Sequence, residues 1–138
     1  MGAISVLFTM LNFGRANLAY KFKKLTNLAN KYGTDKGSKG HTYTEVYEYF
    51  FYPIKYRARK ICEIGIANGS SLRMLRDYFP NAVIHGIDIK DKSWLISKGI
   101  KTFVADQTNK GQLNDFINTY GYGFEIILDD GGHTMKQQ

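Results

Sequence analysis

Acidic side chains close a succession of apolar runs in the second half of this chain, and a glycine turn follows the first of them. Glu63 stands in Ile61-Cys62-Glu63-Ile64-Gly65-Ile66-Ala67-Asn68-Gly69. Asp88 ends the next apolar run, Asp106 with Gln107 the third, and Asp129-Asp130-Gly131-Gly132-His133 the fourth. Gly65 and Gly69 let the backbone come close to a ligand, and a helix starting just after them offers unpaired N–H groups. A carboxylate at the end of a buried run needs a cationic or hydrogen-bonding partner. Glu63 therefore reads either as an acid that holds a ligand or as one bonded to backbone that holds its own loop. Asp88 lies 23 residues beyond Gly65, close to the roughly 20-residue offset of a ribose-binding acid in nucleotide folds. A loop or helix cap would use the same residue type. Asp106 and Gln107 can accept from an adenine amino group or simply close a turn. The pair Asp129 and Asp130 with His133 suits a hard divalent cation beside a general base, the metal lowering the pKa of an attacking hydroxyl. A solvated acidic turn is the alternative.

The elements needed to hold these residues are legible around them. Residues 60–64 form an apolar strand, and residues 70–79 have the apolar spacing of a helix. Strands are expected at 82–89, 100–105 and 124–128, with helices at 91–97 and 111–120. Strand and helix alternate, which implies a parallel sheet with right-handed crossovers. The acids then share its carboxyl edge, where open α/β sheets bind ligands. Upstream, the Gly/Lys/Ser-rich stretch 31–40 is a loop. Thr42-Tyr43-Thr44-Glu45 has the form of a capping box for a helix running from Tyr43 to about Tyr52, stopped by Pro53. Residues 1–58 are read as an amino-terminal helical segment with a lid loop, and 59–138 as the partial ligand-binding unit.

At 138 residues the chain is one domain at most. Cys62 is the only cysteine, so no intrachain disulfide can form, in keeping with a reducing, cytoplasmic setting. Residues 1–60 hold 11 Lys/Arg against 3 Asp/Glu, and residues 61–138 hold 8 against 9. The amino-terminal excess, including Lys21, Lys23, Lys24 and Lys31, reads as a solvated helix face. No nucleic-acid motif accompanies it, so nucleic acid is not an expected partner. The uncharged apolar start, Met1 to Phe13, is too short to span a bilayer. It suits an amphipathic helix with Leu7, Leu11, Leu18 and Leu25 on related turns, packed on the sheet or a second subunit in preference to lying on a membrane.

The glycine turn separates two ligand classes. A dinucleotide fingerprint needs Gly-x-Gly-x-x-Gly, and Ala67 stands at its middle glycine. That argues against an oxidoreductase half-domain. The acid-x-Gly-x-x-x-Gly run resembles instead the first motif of class I S-adenosylmethionine (SAM) methyltransferases. Four blocks extend this likeness over about residues 31–135: KYGTDKGSKGHTYTEVYEYFF, ICEIGIANGSSLRMLRDYFPNAVIHGIDIKDKS, FVADQTN and FEIILDDGGH. Together they resemble the group that includes the metal-dependent macrolide-sugar O-methyltransferases of the mycinamicin and tylosin type. The resemblance implies a Rossmann-like α/β fold, of which this sequence carries the first four of seven strands after amino-terminal helices. It implies SAM as cofactor and Mg²⁺ as a possible second one, with a hydroxyl acceptor, possibly a sugar. Glu63, Gly65 and Gly69 would bind the methionine and ribose region, Asp88 the ribose, and Asp106 and Gln107 the adenine. Tyr43 would help close the lid, Asp130 would ligate the metal, and His133 would be the general base. With further acidic ligands of that family absent from this sequence, the metal site is expected to be incomplete. A SAM-binding fragment without turnover is the alternative, and an apolar fourth strand left at an edge would favour a homo-oligomer.

Overall fold

The computed structural model describes residues 23–132. In chain order the helices are α1 (Lys23–Tyr32), α2 (Tyr43–Phe51), α3 (Ser70–Tyr78) and α4 (Lys110–Tyr120). The strands are β1 (Lys60–Ile64), β2 (Val83–Asp88), β3 (Ile100–Val104) and β4 (Ile126–Asp129). All pair in parallel, in the order β3-β2-β1-β4. Glu63 sits opposite Gly86 on one side and Leu128 on the other. This central register brings the ends of all four strands to one edge, as the alternation of elements predicts. Among the described residues, no helix is long and apolar enough to cross a membrane.

Two cores fill the faces of the sheet. Leu25 and Ala29 of α1, Phe51 of α2 and Leu72, Leu75 and Tyr78 of α3 pack with Ile61 and Ile84 on one face. On the other, α4 brings Phe116 against Cys62, Ile87 and Ala105. His85, Phe103, Tyr120 and Phe124 complete an aromatic cluster there, with ring centroids 4.8–6.3 Å apart. The amino-terminal helices thus share one core with the sheet. They do not stand apart from it.

Several local expectations need correcting. Thr42 does not cap α2: its backbone is left-handed at φ 56° and its hydroxyl donates to the His41 carbonyl. The amide of Thr44 instead donates to the Lys36 carbonyl at 3.1 Å, so the loop before α2 does the work of a cap. α2 does stop before Pro53, at Phe51, and the chain goes on into a 3₁₀ turn, Tyr52–Ile54. The helix expected at 91–97 shrinks to the single 3₁₀ turn Ser93–Leu95, with Asp91 accepting from the Ser93 amide at 2.8 Å. β4 begins two residues late, because Phe124 is drawn into the aromatic cluster and Gly123 turns at φ 86°. A side-chain cap does form at Asn109, which accepts from the amides of Gly111 and Gln112 at the start of α4. Of the amphipathic leucines, Leu7, Leu11 and Leu18 lie outside the described residues.

Candidate functional site

The turn after β1 is where backbone conformation and packing both demand glycine. Gly65 has φ 87°, and a Cβ there would lie 2.4 Å from the carbonyl oxygen of Asp130. The β1 and β4 turns are therefore pressed together, and the Asp130 amide donates to the Ile64 carbonyl at 2.9 Å. Ala67 adopts φ 47°, a glycine-like conformation at an alanine. Asp88 holds this turn from β2. Its Oδ2 accepts from the Ile66 amide and its Oδ1 from the Lys90 amide, both at 2.9 Å. Partial burial works against its charge, but these amides, Lys92 and the Ala67 amide outweigh it, and its pKa falls below the usual range. Each oxygen retains a second lone pair for a ligand hydroxyl.

Between the turns lies a cavity of about 570 Å³, lined by residues 33–36, 63–68, 87–89, 105–107 and 130–132 with Ser71. That is the size of a small-molecule site. Glu63 forms its floor and is 0% exposed. Neither of its oxygens has a hydrogen-bond partner, and the same holds for the buried hydroxyl of Ser71. Burial pushes the Glu63 pKa up to about 7, against the pull of the Ser71 hydroxyl and the Lys36 ammonium. Lys36 reaches the site from the loop between α1 and α2, its side chain only 5% exposed. It hydrogen-bonds Asp130 and stands 3.7 Å from both Glu63 and Asp35. Burial disfavours its charge, yet Asp130, Glu63 and Asp35 prevail and raise its pKa.

The structure brings Glu63, Gly65, Asp88, Asp106, Gln107 and Asp130 to this one cavity. The Asp106 carboxylate is turned onto its own loop, accepting from the amide and hydroxyl of Thr108 at 2.8 Å. Gln107 crosses from the β3 end to the β4 turn, its Oε1 accepting from the Gly132 amide at 3.1 Å. Gly69 and Tyr43 are not in the lining. Gly69 starts α3 at φ 76°, backed against the methyls of Leu95. Tyr43 is 46% exposed at the start of α2 and stacks between His41 and Tyr47. His133 lies outside the described residues. Lys36 and Ser71 carry no role in the motif reading, although Lys36 belongs to the Gly33-Thr34-Asp35-Lys36-Gly37 block that makes the resemblance specific.

The chemistry of the lining suits SAM: a buried, non-hydrogen-bonded carboxylate for a cationic end, a glycine turn for close approach, and an acid at the second strand end. It does not by itself suit Mg²⁺. Among the described residues, no group of three or more His, Cys, Asp or Glu side chains is arranged to hold a metal ion. Asp130 pairs with Lys36, and Asp129 Oδ1 accepts from the Gly131 amide at 3.1 Å.

No protein-family model matches the chain. It is 40% identical over 116 residues to the 8-demethyl-8-alpha-L-rhamnosyl tetracenomycin-C 2'-O-methyltransferase of Streptomyces olivaceus, covering 79% of this chain and 30% of that protein. It is 35% identical to the demethylmacrocin O-methyltransferase of Streptomyces fradiae, at 79% and 29% coverage. The mycinamicin VI 2''-O-methyltransferase of Micromonospora griseorubida is 34% identical, again at 79% and 29%. A solved structure of the MycE methyltransferase from the mycinamycin biosynthetic pathway, in complex with Mg and SAH, superposes with a TM-score of 0.78 at 32% identity. That match covers 83% of this chain and 33% of the other. The homologues of this chain are thus sugar O-methyltransferases, and its four-stranded parallel sheet with flanking helices has their Rossmann-like fold. The chain spans about 30% of the length of the curated relatives it matches.

Proposed function

We propose that this chain is the SAM-binding part of a methyltransferase that modifies a hydroxyl of a sugar or glycosylated small molecule. The observation that carries the reading is Glu63: a fully buried carboxylate with neither oxygen hydrogen-bonded, facing a glycine-lined cavity at the sheet's carboxyl edge. The identity to sugar O-methyltransferases supports it independently.

SAM supplies an electrophilic methyl group on its sulfonium. The residues of this chain hold and aim it. Asp88 is pre-set by two loop amides and keeps lone pairs for ribose hydroxyls. The Asp106–Gln107 turn flanks the adenine region. Gly65 permits close backbone approach, and Gly69 sets the start of α3 behind it. Residues 33–36 and the Tyr43 end of α2 act as the lid, so the segment before residue 59 serves the cofactor and the rest builds its floor. Positioning of this kind is the main catalytic contribution in a direct displacement. Methylation frees one proton from the acceptor hydroxyl, and His133 is assigned to take it, on resemblance. Asp130 spends Oδ2 on Lys36, so a divalent cation there would meet Oδ1 and compete with the ammonium for this carboxylate. The single thiol, Cys62, is pushed up to about 12 by burial and then by Glu63. It is inert, and a cytoplasmic setting suits it.

Calorimetric titration of the chain with SAM, S-adenosylhomocysteine (SAH) and NAD tests the reading. SAM and SAH should bind and NAD should not. Binding of NAD in preference to SAH would overturn it.

A further inference from the structure

Lys36 is a buried charged group in the cavity that the motif reading leaves without a task. An ammonium carries three N–H donors, and the hydrogen bond Lys36 makes is to Asp130. Glu63 and Asp35, at 3.7 Å, lie beyond hydrogen-bond reach. Donors therefore remain on a side chain only 5% exposed. Beside it, both oxygens of Glu63 are equally unspent. A buried cation and a buried anion form an ion pair at 3.7 Å with no hydrogen bond between them, and both line the same cavity. Buried polar atoms without hydrogen bonds are costly even when their charges are paired, so the arrangement makes sense when a ligand completes it.

The sign of the field narrows that ligand. Three carboxylates, Glu63, Asp35 and Asp130, surround one ammonium. A bare anion would meet a surplus of negative charge. A bare cation would satisfy Glu63 and leave Lys36 as it is. A zwitterion in which the two charges flank a single carbon matches both groups at once, ammonium on Glu63 and carboxylate on Lys36.

We propose that Lys36 and Glu63 form a clamp that reads the zwitterionic α-amino-acid end of the cofactor, with Lys36 binding its carboxylate. This rests on the SAM-site reading above and assigns a residue and a selectivity to it. Lys36 comes from the lid loop and Glu63 from the central strand, so the ligand's amino-acid end also ties the lid to the sheet.

Three ligands separate the possibilities: SAH, its analogue lacking only the carboxylate, and 5′-methylthioadenosine, which lacks the whole amino-acid end. They are titrated into the wild-type chain and into Lys36→Met, Lys36→Arg and Glu63→Gln. Charge-assisted hydrogen bonds of this kind predict that Lys36→Met weakens SAH by about 10- to 100-fold. The decarboxylated analogue should bind Lys36→Met as well as, or better than, it binds the wild type. Glu63→Gln should weaken both amine-bearing ligands. Methylthioadenosine should be unaffected in every variant, which reports an intact pocket, and Lys36→Arg should recover part of the SAH affinity. The clamp is overturned if Lys36→Met leaves SAH within about twofold, or if it weakens all three ligands equally, the mark of a structural role. If the wild type binds neither SAH nor methylthioadenosine, the site reading itself fails and takes the clamp with it. If the wild type binds SAH no more tightly than methylthioadenosine, the site reading stands and the clamp falls.

Discussion

Replacing Glu63 by glutamine should stabilise the fold at alkaline pH while damaging the site. Glu63 is fully buried, and its pKa is pushed up to about 7 from an ordinary 4.5. Between those values the unfolded chain has released the proton and the folded chain still holds it. Stability therefore falls as pH rises from 4.5 towards 7 and levels off above. At about 1.4 kcal/mol per pKa unit, the full loss is about 3 kcal/mol. Glutamine has nearly the same shape and no charge to bury, so it escapes this loss. Glu63→Gln should match the wild type near pH 4 and exceed it by up to about 3 kcal/mol at pH 8. In urea melts followed by circular dichroism, that separates the two midpoints by about 1–3 M at pH 8. SAH affinity should drop in the same variant. A variant less stable than wild type at pH 8, or one with the same pH slope, would refute the reasoning. It would mean that attraction to Lys36 exceeds the cost of burying the carboxylate.

Gly65→Ala should cost more than about 2 kcal/mol in thermal or urea melts, since its Cβ meets the fixed Asp130 carbonyl and its φ of 87° is left-handed. Gly69→Ala should cost less, about 1 kcal/mol, because the atoms it meets are the movable methyls of Leu95. Asp88→Ala should weaken SAH binding by about 1–3 kcal/mol in calorimetry, the scale of a lost charged hydrogen bond; unchanged affinity would remove Asp88 from the site. Ile127 is 62% exposed on β4, an edge strand among the described residues. If the chain self-associates in sedimentation, Ile127→Thr should reduce it.

Local signals were sufficient wherever a short run decided its own structure. β1 is legible to the residue, Lys60–Ile64, because a β-branched, apolar run is bounded by a basic stretch and a glycine turn. The other three strand ends are legible to within one residue for the same reason, and with them the acids they carry. What failed was set from a distance. Thr42 looks like a cap, but the α2 start is tied to the Lys36 carbonyl, so its hydroxyl is spent elsewhere. Phe124 looks like strand, but the His85 and Phe116 rings pull it out of β4. Tyr43 and Gly69 belong to the right motif and yet stand outside the cavity lining, since a motif specifies spacing along the chain and not which side chain the fold turns inward.

The sequence alone determined that the chain builds a parallel α/β sheet with a glycine turn after its first strand and acids along one edge, because hydrophobic period and turn chemistry are local. It also carried the likeness to methyltransferases, which its relatives share. Tertiary structure decided what those residues meet. It set Gly65 against the Asp130 carbonyl and anchored Asp88 in the β1 turn. It also buried Glu63 and brought Lys36 from 27 positions upstream to within 3.7 Å of it. Charge, burial and hydrogen-bond satisfaction depend on neighbours in space, and no spacing along the chain encodes them.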